Sequence, residues 1–257
     1  MHSIFSHTGD TGSTSATRLQ FMLHQQQRLA RRMLAAWPRR GHNLLHLRCG
    51  AGELLECLWE CGFEVSGYEP DAGLRAQADR LRPPCVDVGG GAADRLPYDD
   101  DAFDYVVLSL SGGDDSAALA EAWRVASRGM LLLGWNACSL RWLTAGWPWL
   151  DDAALPRPPA GRWWKSWRQV KALQPACHST LRTTLLLPAR CWAAPVWHML
   201  NGIITPLPIG AFAALRLDFG PRPASPSLPL RLMEQFRAPD AATAMEHGAH
   251  RQSPRTV

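Results

Sequence analysis

The stretch Leu44-Leu45-His46-Leu47-Arg48-Cys49-Gly50-Ala51-Gly52 carries an apolar segment straight into a turn of small residues. Glycines let a chain turn tightly and let a ligand approach the backbone, and a helix opening after the turn offers free N–H groups to it. By itself a Gly-x-Gly pair fits an ordinary strand-to-helix turn equally well. Glu69 sharpens the reading. It follows Val65-Ser66-Gly67-Tyr68, about 20 residues beyond the turn, where an acid at the end of a second strand accepts both hydroxyls of an adenosine ribose. A third segment agrees in order: Gly91-Ala92-Ala93-Asp94-Arg95-Leu96-Pro97-Tyr98 is a loop, and Phe103-Asp104-Tyr105-Val106-Val107-Leu108 after it is an apolar strand.

These residues need a scaffold that brings the ends of successive strands together. Thr17 to Trp37 has helical apolar spacing and stops at Pro38. Beyond it, strand-like runs at 43–47, 63–68, 86–88, 105–109 and 129–135 alternate with helix-like runs at 53–61, 72–81 and 116–126. Parallel strands need crossover helices, so this alternation predicts βαβ units. A short helix at 163–173 and late strands at 178–187 and 209–219 follow, the latter two suited to an antiparallel edge. The expected fold is α/β: a doubly wound, Rossmann-like seven-stranded sheet, mostly parallel with an antiparallel edge strand. Its parts are a lead (1–16), one domain (17–220) and a tail short of periodicity (221–257) expected to be disordered. Within the domain, 17–40 is the first helix, and 139–176 and 188–210 are caps rich in Trp and Pro.

Composition narrows the classes. The chain has 257 residues, 46% hydrophobic and 19% charged, which excludes a mostly disordered protein. Its 7 cysteines contain no Cys-x-x-Cys, the nearest spacing being Cys57 to Cys61, so neither a disulfide scaffold nor a thiolate metal site is expected. The net charge of +4 comes almost wholly from scattered arginines, which is no nucleic-acid signature. No secretory signal is legible in 1–16, and the apolar run 191–215 is broken by three prolines, so a cytoplasmic protein is expected, with lipid contact through the Trp-rich segments at most. Eight of the 12 tryptophans lie after Ser139. Trp59, Trp123 and Trp135 are expected as packing residues of the core or of helix faces.

From Leu44 to Trp135 the chain resembles the class I S-adenosylmethionine-dependent methyltransferases of the small-molecule, ubiquinone-biosynthesis-like type. The order is theirs: glycine turn, strand ending in Glu69, Leu96-Pro97-Tyr98 loop, Phe103-Asp104 and strand, then Glu121-Ala122-Trp123-Arg124-Val125 leading to Gly129 and an apolar strand. The glycine motif is degenerate. His46 stands where the family's first strand closes with an acid, Arg48 replaces the first glycine, and Ala92 replaces the acid that meets the adenine amine. The resemblance implies S-adenosylmethionine as cofactor, with binding residues His46, Arg48, Cys49, Gly50, Ala51, Gly52, Glu69, Pro70, Ala92, Ala93, Asp94 and Ser109. Within that set Arg48 would pair with a carboxylate, and Asp94 would stand in at the adenine. No residue is nominated as a catalytic base and no metal is expected. The function implied is methyl transfer to a small or lipid-like acceptor. The alternative is a non-catalytic protein of the same fold that binds a partner or ligand through its Trp-rich surface.

Overall fold

The computed structural model describes residues 12–110, 115–136, 139, 177–186 and 202–220. The expected helix at 163–173, the Trp-rich segments 140–176 and 187–201, and the tail 221–257 lie outside the described residues. The elements are α1 (Gly12–Leu34), β1 (Asn43–Leu47), α2 (Leu55–Glu60), β2 (Glu64–Tyr68), α3 (Ala72–Leu81), β3 (Asp87–Gly89), β4 (Phe103–Ser109), α4 (Ser116–Val125), β5 (Ala126–Trp135), β6 (His178–Thr184), β7 (Ile204–Thr205) and β8 (Phe212–Asp218). Local chemistry explains several boundaries. Asp71 caps α3 by accepting from the Leu74 amide (3.0 Å), and Pro38 bars any extension of α1.

Among the described residues, eight strands form one sheet in the order β3-β2-β1-β4-β5-β8-β6-β7. The first five are parallel neighbours, whereas β8 runs antiparallel to both β5 and β6, and β7 antiparallel to β6. The sheet therefore has one strand more than the seven expected. The addition is β7, whose two residues pair with Thr183 and Thr184. Two residues carry no period, so the sequence places Ile204–Thr205 within the cap segment 188–210. Among the described residues, no helix is long and apolar enough to cross a membrane.

Side chains alternate across the sheet and build a core on each face. Leu44, Tyr105, Val107, Leu131 and Leu133 pack toward α1 and α2, with Met22, Leu29, Leu34, Leu55 and Leu58. Leu45, Leu47, Val106, Leu108 and Met130 pack toward α4, with Ala118, Leu119 and Ala122. This is the doubly wound arrangement, and its strand order reverses at β1, between β2 and β4. A ligand crevice in such folds opens at the carboxyl ends of those strands.

Trp37 closes the core beneath α1. It is 6% exposed, its ring stacks on Tyr105 with centroids 4.2 Å apart, and its Nε1 donates to Asp218 (2.5 Å). Gly129 is required beside it, because a Cβ there would meet the Leu217 carbonyl oxygen at 2.7 Å and the Trp37 ring at 3.1 Å. Trp135 is buried and Trp123 packs on Phe219, but Trp59 is 45% exposed on the outer side of α2. The helical spacing that placed Trp59 in a helix did not fix which face it takes. Truncating Trp37→Ala is expected to cost about 3–5 kcal/mol. Trp37→Phe, which keeps the stack and leaves Asp218 with its Arg216 partner alone, should cost about 1–3 kcal/mol. Equilibrium denaturation of both variants checks this order, and a loss near zero in Trp37→Phe would show that the Asp218 bond contributes nothing.

Candidate active site

The turn after β1 is shaped by residues in the left-handed region: Arg48 (φ 58°), Gly50 (φ 63°) and Gly52 (φ 88°). At Gly52 a Cβ would also sit 3.1 Å from the Ala78 Cα, so close packing of α3 adds to the demand for glycine. The amides of Arg48 and Cys49 both donate to the Tyr68 carbonyl (2.7 and 3.3 Å), joining the turn to the end of β2.

Glu69 completes that junction. One carboxylate oxygen accepts from the Gly50 amide (2.7 Å) and the other from the Asp71 amide (3.1 Å). Pro70 between them has no N–H, so Asp71 offers the first amide available after Glu69. The side chain of Glu69 is 6% exposed. Burial raises its pKa, and the two amides and the charge of Arg48 oppose that shift. Burial and the charge of Glu69 push the neighbouring Cys49 thiol up to about 12, so Cys49 is a packing residue and no nucleophile at neutral pH.

His46 and Ser109 come together at the carboxyl ends of β1 and β4, sharing a hydrogen bond between His46 Nε2 and Ser109 Oγ (3.0 Å). His46 is 1% exposed, and its Nδ1 is buried with no hydrogen-bond partner. Burial lowers its pKa to about 4, so the ring is neutral at physiological pH. Arg48 is half-buried and forms an ion pair with the buried carboxylate of Asp115. Asp115 occupies the N-cap position of α4, yet its side chain makes no capping bond there. The pair ties the turn after β1 to the start of α4.

The loop after β3 stands apart. Ala93 is buried while Ala92 and Asp94 are exposed, and Pro70 is exposed beside Glu69. Glu121 and Arg124 of α4 anchor the continuation of that loop. Glu121 accepts from the Leu96 amide (2.9 Å), and Arg124 donates to the Tyr98 carbonyl (2.8 Å). The structure thus brings Gly50 to Glu69 and His46 to Ser109, and places Ala92, Ala93 and Asp94 on the loop beyond β3 without joining them to the turn. Sequence reasoning missed Asp115. Its position just before a helix reads as a cap, and only the cation at a glycine position signals a different use. Among the described residues, Gln27 also reaches the site, donating to the Glu53 carbonyl (3.0 Å) and fixing α1 beside the turn.

A family model described as a methyltransferase domain matches residues 45–133. Three solved structures share the fold. One is a methyltransferase from Thermotoga maritima, described as a possible histamine N-methyltransferase. It is 16% identical with a TM-score of 0.55, over 80% of this chain and 95% of that one. Another is the magnesium protoporphyrin IX methyltransferase of Synechocystis with bound S-adenosylhomocysteine, 13% identical with a TM-score of 0.55, over 82% and 90% of the two chains. The third is a putative Haloferax volcanii methyltransferase in complex with the Trm112 activator, 18% identical with a TM-score of 0.51, over 81% and 95%. No curated protein matches the sequence.

A double-mutant cycle of Arg48→Gly and Asp115→Ala should give a coupling of about 1–3 kcal/mol in denaturant unfolding, and a value near zero would remove the ion pair from the account. His46 is neutral when folded but gains a proton when unfolded, so its contribution is intact above pH 6.5 and lost as pH falls toward about 4. The loss amounts to about 3 kcal/mol. His46→Gln cannot titrate, and its stability should fall less steeply across that window. Parallel acid limbs in the two proteins would refute the buried neutral ring.

Proposed function

We propose, from the premise that residues 45–133 form a class I S-adenosylmethionine-dependent methyltransferase domain, that this protein transfers the methyl group of S-adenosylmethionine to a small or lipid-like acceptor. The observation that carries the reading is the Glu69 carboxylate, buried at the end of β2 and fixed against the glycine turn by the Gly50 amide. The donor set fits the cofactor. A buried carboxylate with remaining lone pairs suits a pair of ribose hydroxyls, and His46, at the carboxyl end of β1, carries a buried Nδ1 without a hydrogen-bond partner.

When bound, S-adenosylmethionine supplies a methyl group already activated on a positively charged sulfur. The work left to this chain is to bind, orient and exclude water. Glu69 would hold the ribose, Cys49, Gly50, Ala51 and Gly52 would present the backbone of the turn, and Pro70 would shape the approach to the ribose. Ala92, Ala93 and Asp94 would face the adenine, and His46, Arg48 and Ser109 the methionine end. Arg48 pairs with Asp115, which fixes its guanidinium beside the turn. Alignment alone can be worth about 7–11 kcal/mol in favourable cases, and a dedicated base is needed only for a protonated, weakly acidic acceptor. A location in the cytoplasm accords with this reading.

Calorimetric titration with S-adenosylmethionine and S-adenosylhomocysteine tests it. Glu69→Ala should weaken both by about 100-fold, the worth of roughly two hydrogen bonds to a charged acceptor. Because protonation removes that acceptor and the Glu69 pKa is raised, affinity should fall on acidification at a pH above the ordinary carboxyl value of 4.5. Absence of binding at millimolar ligand defeats the proposal. Binding without S-adenosylhomocysteine formation across a panel of apolar acceptors would favour the non-catalytic alternative.

A further inference from the structure

The run Gly89-Gly90-Gly91 carries β3 into the loop that holds Ala92, Ala93 and Asp94. Two side chains from the neighbouring segment explain why the run is all glycine. A Cβ on Gly90 would overlap the Arg75 guanidinium, which lies against the backbone there, with Nε only 2.7 Å from the added atom. On Gly91, whose φ is 148°, a Cβ would overlap the Tyr68 hydroxyl. Arg75 also lies near enough to Tyr68 for its charge to oppose the effect of burial on the phenol.

Local structure delivers Arg75 to this place. Tyr68 and Gly89 are the last pair in register between β2 and β3. Just beyond them the Glu69 amide donates to the Gly89 carbonyl (3.0 Å), and the two segments part, one into α3 and the other into the loop. The Glu69 carbonyl lies past that ladder, and Arg75 Nη1 donates to it (3.1 Å). Asp71 caps α3, so Arg75 falls one turn into the helix. Helical side chains lean toward the N-terminus, which carries the guanidinium back past the cap to Glu69 and across to Gly90.

The geometry points to Arg75 as a positioning residue for the nucleoside half of S-adenosylmethionine: its guanidinium holds the segment bearing Glu69 and the loop bearing Ala92, Ala93 and Asp94 at a fixed separation. This rests on the methyl-transfer reading, in which Glu69 takes the ribose and the loop faces the adenine. Ribose and base are joined by one bond, so a site that grips both needs its two walls set at matching spacing. Walls held in place beforehand spare the ordering cost on binding. Arginine suits the task because its planar group bonds the carbonyl through Nη1 while Cζ and Nε cover Gly90; a lysine ammonium is a single point.

Calorimetric titration of the full-length protein tests this with two probes: S-adenosylhomocysteine, and 5′-methylthioadenosine, which keeps the nucleoside and lacks the amino-acid group. Arg75→Ala should weaken both by about tenfold, the worth of roughly one hydrogen bond. Gly90→Ala keeps the arginine but displaces its guanidinium, and should weaken both by the same factor. Added to Arg75→Ala, it should cost nothing further. Arg75→Lys, which restores a donor without the cover over Gly90, should recover only part of the loss. Gly90 is exposed, so Gly90→Ala should leave the unfolding midpoint of the ligand-free protein unmoved, and it carries the test by itself if Arg75→Ala does not fold. Unchanged affinities in Gly90→Ala, a loss confined to S-adenosylhomocysteine, additive losses in the double variant, or no binding of 5′-methylthioadenosine by the unmutated protein would each overturn the inference while the methyl-transfer reading stands. No binding of S-adenosylhomocysteine to the unmutated protein removes that reading, and the inference with it.

Discussion

The constraint on which the rest depends is the need to satisfy the amide groups of the turn after β1. Arg48 and Cys49 spend theirs on the Tyr68 carbonyl, and Gly50 spends its own on Glu69. A buried amide left unpaired costs about 1–3 kcal/mol, so these three bonds lock the ends of β1 and β2 together. The position of Glu69 and the shape of the turn are thus one structural fact. α2 starts from the same turn, with the Leu55 amide donating to the Gly52 carbonyl (3.0 Å). Gln27 then sets α1 beside it.

Within that frame, Arg48 is a local conflict with a visible compensation. A side chain in the left-handed region costs roughly 1–2 kcal/mol relative to an ordinary backbone conformation, and the family pattern avoids the cost with glycine. Here the cost is offset by Asp115, which gives up a capping role to meet the guanidinium. The consequence is mechanical: the turn after β1 and the start of α4, which flank the crevice, are joined through side chains. The neutral His46 acts in the same place, joining β1 to β4 through Ser109.

Much of this was legible in the sequence because it follows from periodicity and from fixed spacing. The alternation of strands and helices, the turn ahead of α2 and the acid closing β2 all appear where local patterns place them, and the 72–81 helix matches α3 to the residue. What was not legible depends on contacts between distant segments. The partner of Arg48 lies 67 residues away, the Trp37 bond to Asp218 spans 181 residues, and β7 is too short to show a pattern. The exposure of Trp59 belongs with these. A six-residue helix admits more than one buried face, and the choice is made by α1 packing on Leu55 and Leu58 rather than by the indole.

The departures also redistribute charge in a way that bears on the proposed reaction. Relative to the family pattern, the acid at the end of the first strand has become a neutral imidazole, and a glycine has become a cation. Asp115 balances that cation, so the formal charges of Glu69, Arg48 and Asp115 sum to one negative charge. S-adenosylmethionine carries one net positive charge through its sulfonium, and S-adenosylhomocysteine carries none. On the proposed reading, one net negative charge would favour the sulfonium over the neutral product despite the substitutions at His46 and Arg48. The altered motif is therefore compatible with the proposed turnover on electrostatic grounds.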